Sequence, residues 1–459
     1  MSAEIEQPTT PRRRRAPRRG DTPFDRLIRE ARDGDGLVRL TGLRGSALRV
    51  AASHLIRSRG EAPVLYVTPH SRAADTAIDS LRNLLGERED ESRVLGFPRH
   101  DTLPFDRFSP QPFLVSQRMN VLHRLAHAGD AEHAAKEPPP IIVAPRSALT
   151  LRVPTRADLR AATRRVSVGD SLERDALVAT LVGLGYQRMA LVEEPGEVAV
   201  RGDILDVFPP QLSHPFRIEL WGDEVDSIRS FDPASQRSQD KCASALLPPP
   251  RELVFDRDRV VACSEPIRKL AAEQSIPAGE IDALFDALLR GHVPPGGEVL
   301  APILLGELES VFDYLPPDTL VIEEEPEEST ARLEQLYGEI EANYEGAAGE
   351  RLRVPLGDLL LDPEEVTGGL RGREAIRLER LDVIDSADEI GRHPVRTQSQ
   401  DELRRALTTT RSHDRALSPL VDRCRAWLGE RWRVVIACAS LSSAERLRTL
   451  LDEYELEAQ

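Results

Sequence analysis

At 459 residues the chain is too long for one ordinary hydrophobic core, and about three domains are expected. Its 77 acidic and 61 basic residues leave a formal net charge of −16. That argues against a protein that holds DNA unaided, since phosphate neutralisation supplies most non-specific affinity. The longest apolar strings, "PIIVAP" and "RVVIACAS", are of buried-strand length and far short of the roughly 20 residues that cross a bilayer, so no membrane association is expected.

"PRRRRAPRRG" (11–20), flanked by Pro, Gly and polar residues, reads as a solvated basic arm over 1–22 rather than a nucleic-acid contact. "TPFDRLIREARDGDG" reads as a short helix stopped by Gly34 and Gly36. A strand and Gly-rich turn follow over 37–46, then a helix through "ALRVAASHLIRSRG" and the strand "APVLYVTP". Ser71 is expected to cap the next helix, in which Ile78, Leu81 and Leu85 recur at helical spacing before Gly86. "RVLGFP" is a further strand, Val115, Met119, Leu122 and Leu125 stripe another helix, and "PPIIVAP" returns as a strand. Strands alternating with helices imply an α/β parallel sheet with helices on both faces.

The pattern changes near residue 155. "EVAVRGDILDVFPP" and "FRIELWGDEVDSIRSFD" are strand-rich and joined by Pro and Gly-Asp turns, which suggests antiparallel pairing. Helical patterning resumes near 250, followed by the strand "DTLVIEEEP" and a Glu-rich helix. Beyond 355 short strands and helices mix, closing with "RWRVVIACAS" as a strand and "SSAERLRTLLDEY" as a helix. A strand and helix that feed no further strand read as a domain cut short.

"LTGLRGSALRV" (40–50) has the outline of a phosphate loop without its chemistry. In GxxxxGK[ST] the glycines let backbone N–H groups wrap phosphates, the Lys neutralises charge and the hydroxyl holds magnesium. Counted from Gly42, with Gly45 inside the turn, the second Gly is Ala47, the Lys is Leu48 and the Ser/Thr is Arg49. Glu323 and Glu324 are the nearest thing to the acidic pair of a magnesium-dependent motor and read as a solvated acidic loop. No bound nucleotide or metal is therefore expected for this chain. His123 and His127 share a helical face but lack a carboxylate or Cys in register for a metal. Phe105, Phe108 and Phe113 among prolines read as packing of a rigid connector rather than a base-stacking platform. Four single cysteines (Cys242, Cys263, Cys424, Cys438), without a CxxC, argue against a disulfide frame and place the protein in a reducing cytoplasm.

In "FRIELW" side chains alternate, so Phe216, Ile218 and Leu220 face one side and Arg217, Glu219 and Trp221 the other. The second set has the Arg/Trp composition of a binding hot spot, with an ordinary charged sheet face as the alternative.

"FPRHDTLPFDRFSPQPFLVSQRMNVLHRL", "IIVAPRSALTLRVP", "GYQRMALVEEPGEVAVRGDILDVFPP" and "FRIELWGDEVDSIRSFDPASQRS" together resemble the N-terminal, UvrB-like region of the bacterial transcription-repair coupling factor (Mfd) family. The resemblance is strong over about 25–330 and looser over 355–459. It implies a degenerate helicase-like parallel-sheet domain (23–154 and 251–350), an inserted antiparallel α+β UvrA-binding-like domain (155–250) and a partial second α/β domain (351–459). It further implies a role in transcription-coupled nucleotide excision repair, with UvrA as partner. RNA polymerase, duplex DNA, ATP and magnesium belong to the motor and polymerase-interacting regions of complete family members, whose motifs are not found here. Carried over by motif, Arg201, Arg217 and Glu219 match the recognition positions, with Arg188, Phe208 and Trp221 beside them. The alternatives are an active ATP-dependent translocase of the helicase superfamily and a stand-alone binder of damaged DNA.

Overall fold

The computed structural model describes residues 37–60, 62–88, 92–128, 138–210, 212, 214–381, 391–395, 397, 400–410, 416–432, 434–436, 438 and 440–456. The expected basic arm and first helix lie outside them. The chain divides after Val395 into two compact units.

The first unit is built on a seven-stranded sheet. Its strands are β1 (Leu37–Thr41), β2 (Val64–Thr68), β3 (Val94–Gly96), β4 (Ile141–Pro145), β15 (Leu320–Glu324), β16 (Ala375–Leu378) and β17 (Arg392–Pro394). The spatial order is β17-β1-β16-β15-β2-β4-β3, and every neighbouring pair is parallel. In β2, "VLYVT", all five residues are buried, as a central parallel strand covered on both faces requires. Alternation divides the core accordingly. Val64 and Tyr66 pack towards α1 (Ala47–Arg59) and α2 (Ser71–Leu85), whereas Leu65 and Val67 pack towards α3 (Pro112–Ala126).

Local signals set the helix ends. α2 starts at Ser71, but its cap is His70, whose Nδ1 accepts from the Ala73 N–H; the expected Ser71 cap is corrected by one residue. An imidazole nitrogen in an extended residue can do what a hydroxyl does there. Gly86 ends the helix in the left-handed region at φ 75°.

Between β4 and β15 the chain leaves this sheet. β5 (Val153–Pro154) pairs with β14 (Leu308–Glu309) and leads into α4 (Arg156–Ala162). β6 (Arg164–Ser167) and β13 (Ser244–Leu247) pair antiparallel and close the two ends of an inserted domain. Inside it, α5 (Arg174–Leu184) covers one face of a six-stranded sheet. That sheet comprises β7 (Gln187–Arg188), β8 (Glu197–Arg201), β9 (Ile204–Val207), β10 (Phe216–Trp221), β11 (Glu224–Phe231) and β12 (Ser238–Cys242), in the order β12-β11-β10-β9-β8-β7. Only the β7–β8 pair is parallel. A helical layer follows, with α6 (Arg257–Ala262), α7 (Ser264–Glu273) and α8 (Ala278–Leu289) around Ile267, Ile281 and Phe285. The Glu-rich helix, α9 (Pro326–Gly346), and α10 (Pro363–Arg371) return to the parallel sheet through Leu333, Val366 and Leu370.

The domain boundary expected at 350/351 falls inside this unit, because β16 and β17 flank β1 in the parallel sheet. Sequence spacing cannot show this. β1 reaches its neighbours only through chain more than 300 residues later, at Ala375 and Arg392.

The second unit holds α11 (Asp401–Thr410), α12 (Ser418–Gly429) and α13 (Leu441–Asp452), with Val421, Cys424 and Leu451 buried. The strand expected in "RWRVVIACAS" is not seen among the described residues, and Val435 is exposed. A strand exists only when its backbone has a partner edge, and no described residue of this unit supplies one.

Candidate functional site

Two places in the first unit carry the sequence features of interest. The first is the carboxyl end of the parallel sheet, where proteins of this topology bind ligands. β1 turns through Gly42 (φ 77°) and Gly45 (φ 58°) into α1, so the strand-turn-helix bend is present. Gly42 serves a backbone contact here: a Cβ on it would lie 2.7 Å from the Val395 carbonyl oxygen, and the Val395 N–H donates to Thr41 O at 2.8 Å. Leu48, at the position of the loop lysine, is buried in the core with Leu55 and Ile56.

Arg49, at the position of the metal-holding hydroxyl, donates through Nη1 to Glu324 Oε2 and, at 2.9 Å, to the Tyr66 hydroxyl. Tyr66 in turn donates to Glu324 at 3.0 Å. Beside it, Arg146 Nη1 donates to Glu323 Oε2 at 2.9 Å, and Arg377 lies 3.5 Å from the other oxygen of Glu323. The expectation of a solvated acidic loop is therefore corrected. Glu323 and Glu324 end a central strand, are 4% and 6% exposed, and each is neutralised by a guanidinium. Burying a carboxylate demands such a partner, which the string "EEEP" alone does not reveal. These residues do not fit a magnesium-nucleotide: the Arg49 guanidinium already neutralises Glu324, and buried Leu48 stands at the position of the loop lysine.

The second place is the face of the inserted sheet opposite α5. Ile218 and Leu220 enter the core under α5, with Phe216 packed against it. Arg217, Glu219 and Trp221 point to the other side, as alternation requires. Register then brings together residues distant in sequence. Arg217 lies opposite Asp206, and both Glu219 and Arg201 lie opposite Ile204. Asp206, 1% exposed, accepts two bonds from Arg217 (2.8 and 2.9 Å) and one from Arg201 (2.8 Å). Arg217 also donates to Gln236 O at 3.1 Å and stacks over the Phe231 ring at 4.5 Å. The bonds to Asp206 hold the Arg217 guanidinium above its ordinary pKa, against partial burial, with the Asp206 and Glu219 charges adding. Glu219 accepts from the Ser227 hydroxyl at 2.8 Å.

Not every expected residue joins this face. Arg188 is opposite Val198, a core-facing position, and lines a cavity on the α5 side with Val200 and Leu184. Phe208 is buried in a small cluster with Val192, Ala199 and Phe231 beneath the face, so it supports rather than contacts. Trp221 is 83% exposed. Asp206, which orients both arginines, was missed by the sequence reading. Its signal was a lone carboxylate inside the apolar run "ILDVF".

The aromatic connector divides. Phe105 is buried edge-on to Tyr344 with centroids 5.1 Å apart, but Phe108 and Phe113 are exposed. His123 and His127 are buried with ring centroids 4.3 Å apart, and no group of three or more metal-ligating side chains occurs among the described residues. No helix among those residues is long and apolar enough to cross a membrane.

A parallel sheet with an altered phosphate loop, carrying an inserted mixed sheet that presents ordered arginines and an exposed tryptophan, defines a helicase-like body with an inserted domain. The family model described as UvrB interaction domain matches residues 165–253. The transcription-repair-coupling factor of Myxococcus xanthus is 33% identical over 446 residues, covering 95% of this chain and 36% of the relative. That of Escherichia coli strain K12 is 27% identical over 348 residues, 75% of this chain and 28% of the relative. UvrABC system protein B of Acinetobacter baylyi is 30% identical over 206 residues, 41% of this chain and 30% of the relative. The chain thus belongs to the transcription-repair coupling factors, as their UvrB-like N-terminal region. It spans about a third of the length of the relatives it matches over most of its own sequence.

Proposed function

We propose that this chain serves transcription-coupled nucleotide excision repair as an adaptor that recruits UvrA through the exposed face of the inserted sheet. The observation that carries the reading is the Arg201–Asp206–Arg217 cluster beside exposed Trp221. One buried carboxylate fixes two guanidiniums, leaving Arg201 nearly half exposed. Pre-ordered arginines give a partner charge-assisted contacts at little entropic cost, and Trp adds apolar area.

Nucleotide hydrolysis is assigned to no residue of this chain, since Leu48, Arg49 and the neutralised Glu323 and Glu324 oppose it. Action on RNA polymerase and duplex DNA is what the family resemblance implies for a complete member, in the cytoplasm.

The test is the affinity of this chain for purified UvrA. Trp221 is 83% exposed, so Trp221→Ala is expected to leave folding intact and to weaken binding by about tenfold or more. Wild-type affinity in that variant sinks the assignment of this face.

A further inference from the structure

The register of the inserted sheet lines up one row of residues across five strands. Ala199 is opposite Asp206, Asp206 opposite Arg217, Arg217 opposite Arg229 and Arg229 opposite Lys241. The single carboxylate of the row, Asp206, is taken by Arg217 and Arg201. Two further cations, Arg229 and Lys241, follow in a row where like charges directly opposite one another are destabilising. Arg229 is half-buried, and its Nε is shielded from solvent with no hydrogen-bond partner. Among the described residues no carboxylate lies within ion-pair distance of Arg229 or Lys241. An unneutralised cation beside a paired one costs the free chain stability and gains only when an anion is brought to it.

We propose that Arg229 is a specificity-determining residue of this face, taking a carboxylate from the docked partner next to the Arg217 position. The proposal rests on the reading of the face as the UvrA-binding surface and extends it to β11. The ligand chemistry is an Asp or Glu side chain of a protein. A nucleic-acid backbone is disfavoured, because the same face carries Asp206 and Glu219 and the chain's net charge of −16 repels a polyanion. An exposed tryptophan at the end of β10 also suits a protein surface.

The experiment compares full-length wild type with Arg229→Glu, Arg229→Gln and Arg229→Lys for UvrA affinity by calorimetry, and for thermal midpoint. Arg229→Glu is expected to weaken UvrA binding about tenfold or more, with Arg229→Lys keeping most of it. The midpoint of Arg229→Gln is expected to stay level or rise, since like-charge repulsion is removed. Its UvrA affinity is expected to fall all the same, and a loss of affinity without a loss of stability is not what a merely structural role produces. Wild-type affinity in Arg229→Glu, while Trp221→Ala still weakens binding, overturns the proposal and leaves the face assignment standing. No effect from either variant removes the face assignment and this inference with it. Loss of duplex-DNA binding in Arg229→Glu with UvrA binding intact makes the contact a phosphate and also overturns it.

Discussion

Arg49 and Glu324, 275 positions apart, join the first helix of the parallel sheet to its central strand, with the Tyr66 hydroxyl bonded to both. In a nucleotide-hydrolysing relative of this topology the two positions would hold magnesium between a hydroxyl and an acid. Here a guanidinium supplies the positive charge from within the chain. Arg49 and Glu324 side chains are 11% and 8% exposed, so the pair is largely out of water.

Removing one partner should therefore strand the other. Arg49→Ala is expected to lower the unfolding free energy by about 3–5 kcal/mol in urea titrations, because Glu324 is left buried and unpaired. Arg49→Met combined with Glu324→Gln should recover most of that loss, since neither charge remains. MgATP added to the wild type should leave the thermal midpoint unmoved. A saturable rise, which ligand binding to the native state must cause, would show that the loop still accepts nucleotide.

Asp206 makes a different prediction, because it shapes the binding face while buried within it. Asp206→Asn keeps the side chain's size but removes the charge that holds Arg201 and Arg217. Stability should fall by about 1.5–3 kcal/mol, the range for hydrogen bonds to charged groups. UvrA affinity should also fall, although the residue is 1% exposed. If the Asp206→Asn variant loses stability yet binds UvrA normally, arginine orientation does not matter for docking.

Acid should loosen the junction where the inserted domain leaves its sheet. Burial alone would raise the Glu252 carboxyl, but Arg118 at 2.6 Å and His100 at 3.3 Å overcome it and hold it down at about 2. The folded value lies below the ordinary 4.5, so the stabilisation is complete above about 4.5 and is lost as pH falls towards 2. Glu252→Gln should flatten the pH dependence of stability in that window while lowering stability at neutral pH. Denaturation midpoints from about pH 6 down to about 2.5 check it, and an unchanged slope counts against the triad.

Much of this architecture could be read along the chain. "VLYVT" and "PIIVAP" are largely apolar and became buried parallel strands, and the alternation in "FRIELW" separated core from surface. The altered loop was visible by counting from Gly42, because its chemistry depends on fixed local spacing. These features are local: a period of two or a turn residue acts within a few positions.

Tertiary structure decided what depends on partners far away in the sequence. The burial of Glu323 and Glu324 follows from Arg146 and Arg49, which no local pattern links to them. The membership of β16 and β17 in the first sheet follows from pairing with β1, and the roles of Asp206 and Arg229 follow from strand register. A charge costs or contributes according to what stands within about 4 Å of it, and that distance is set by the folded chain, not by the order of its residues.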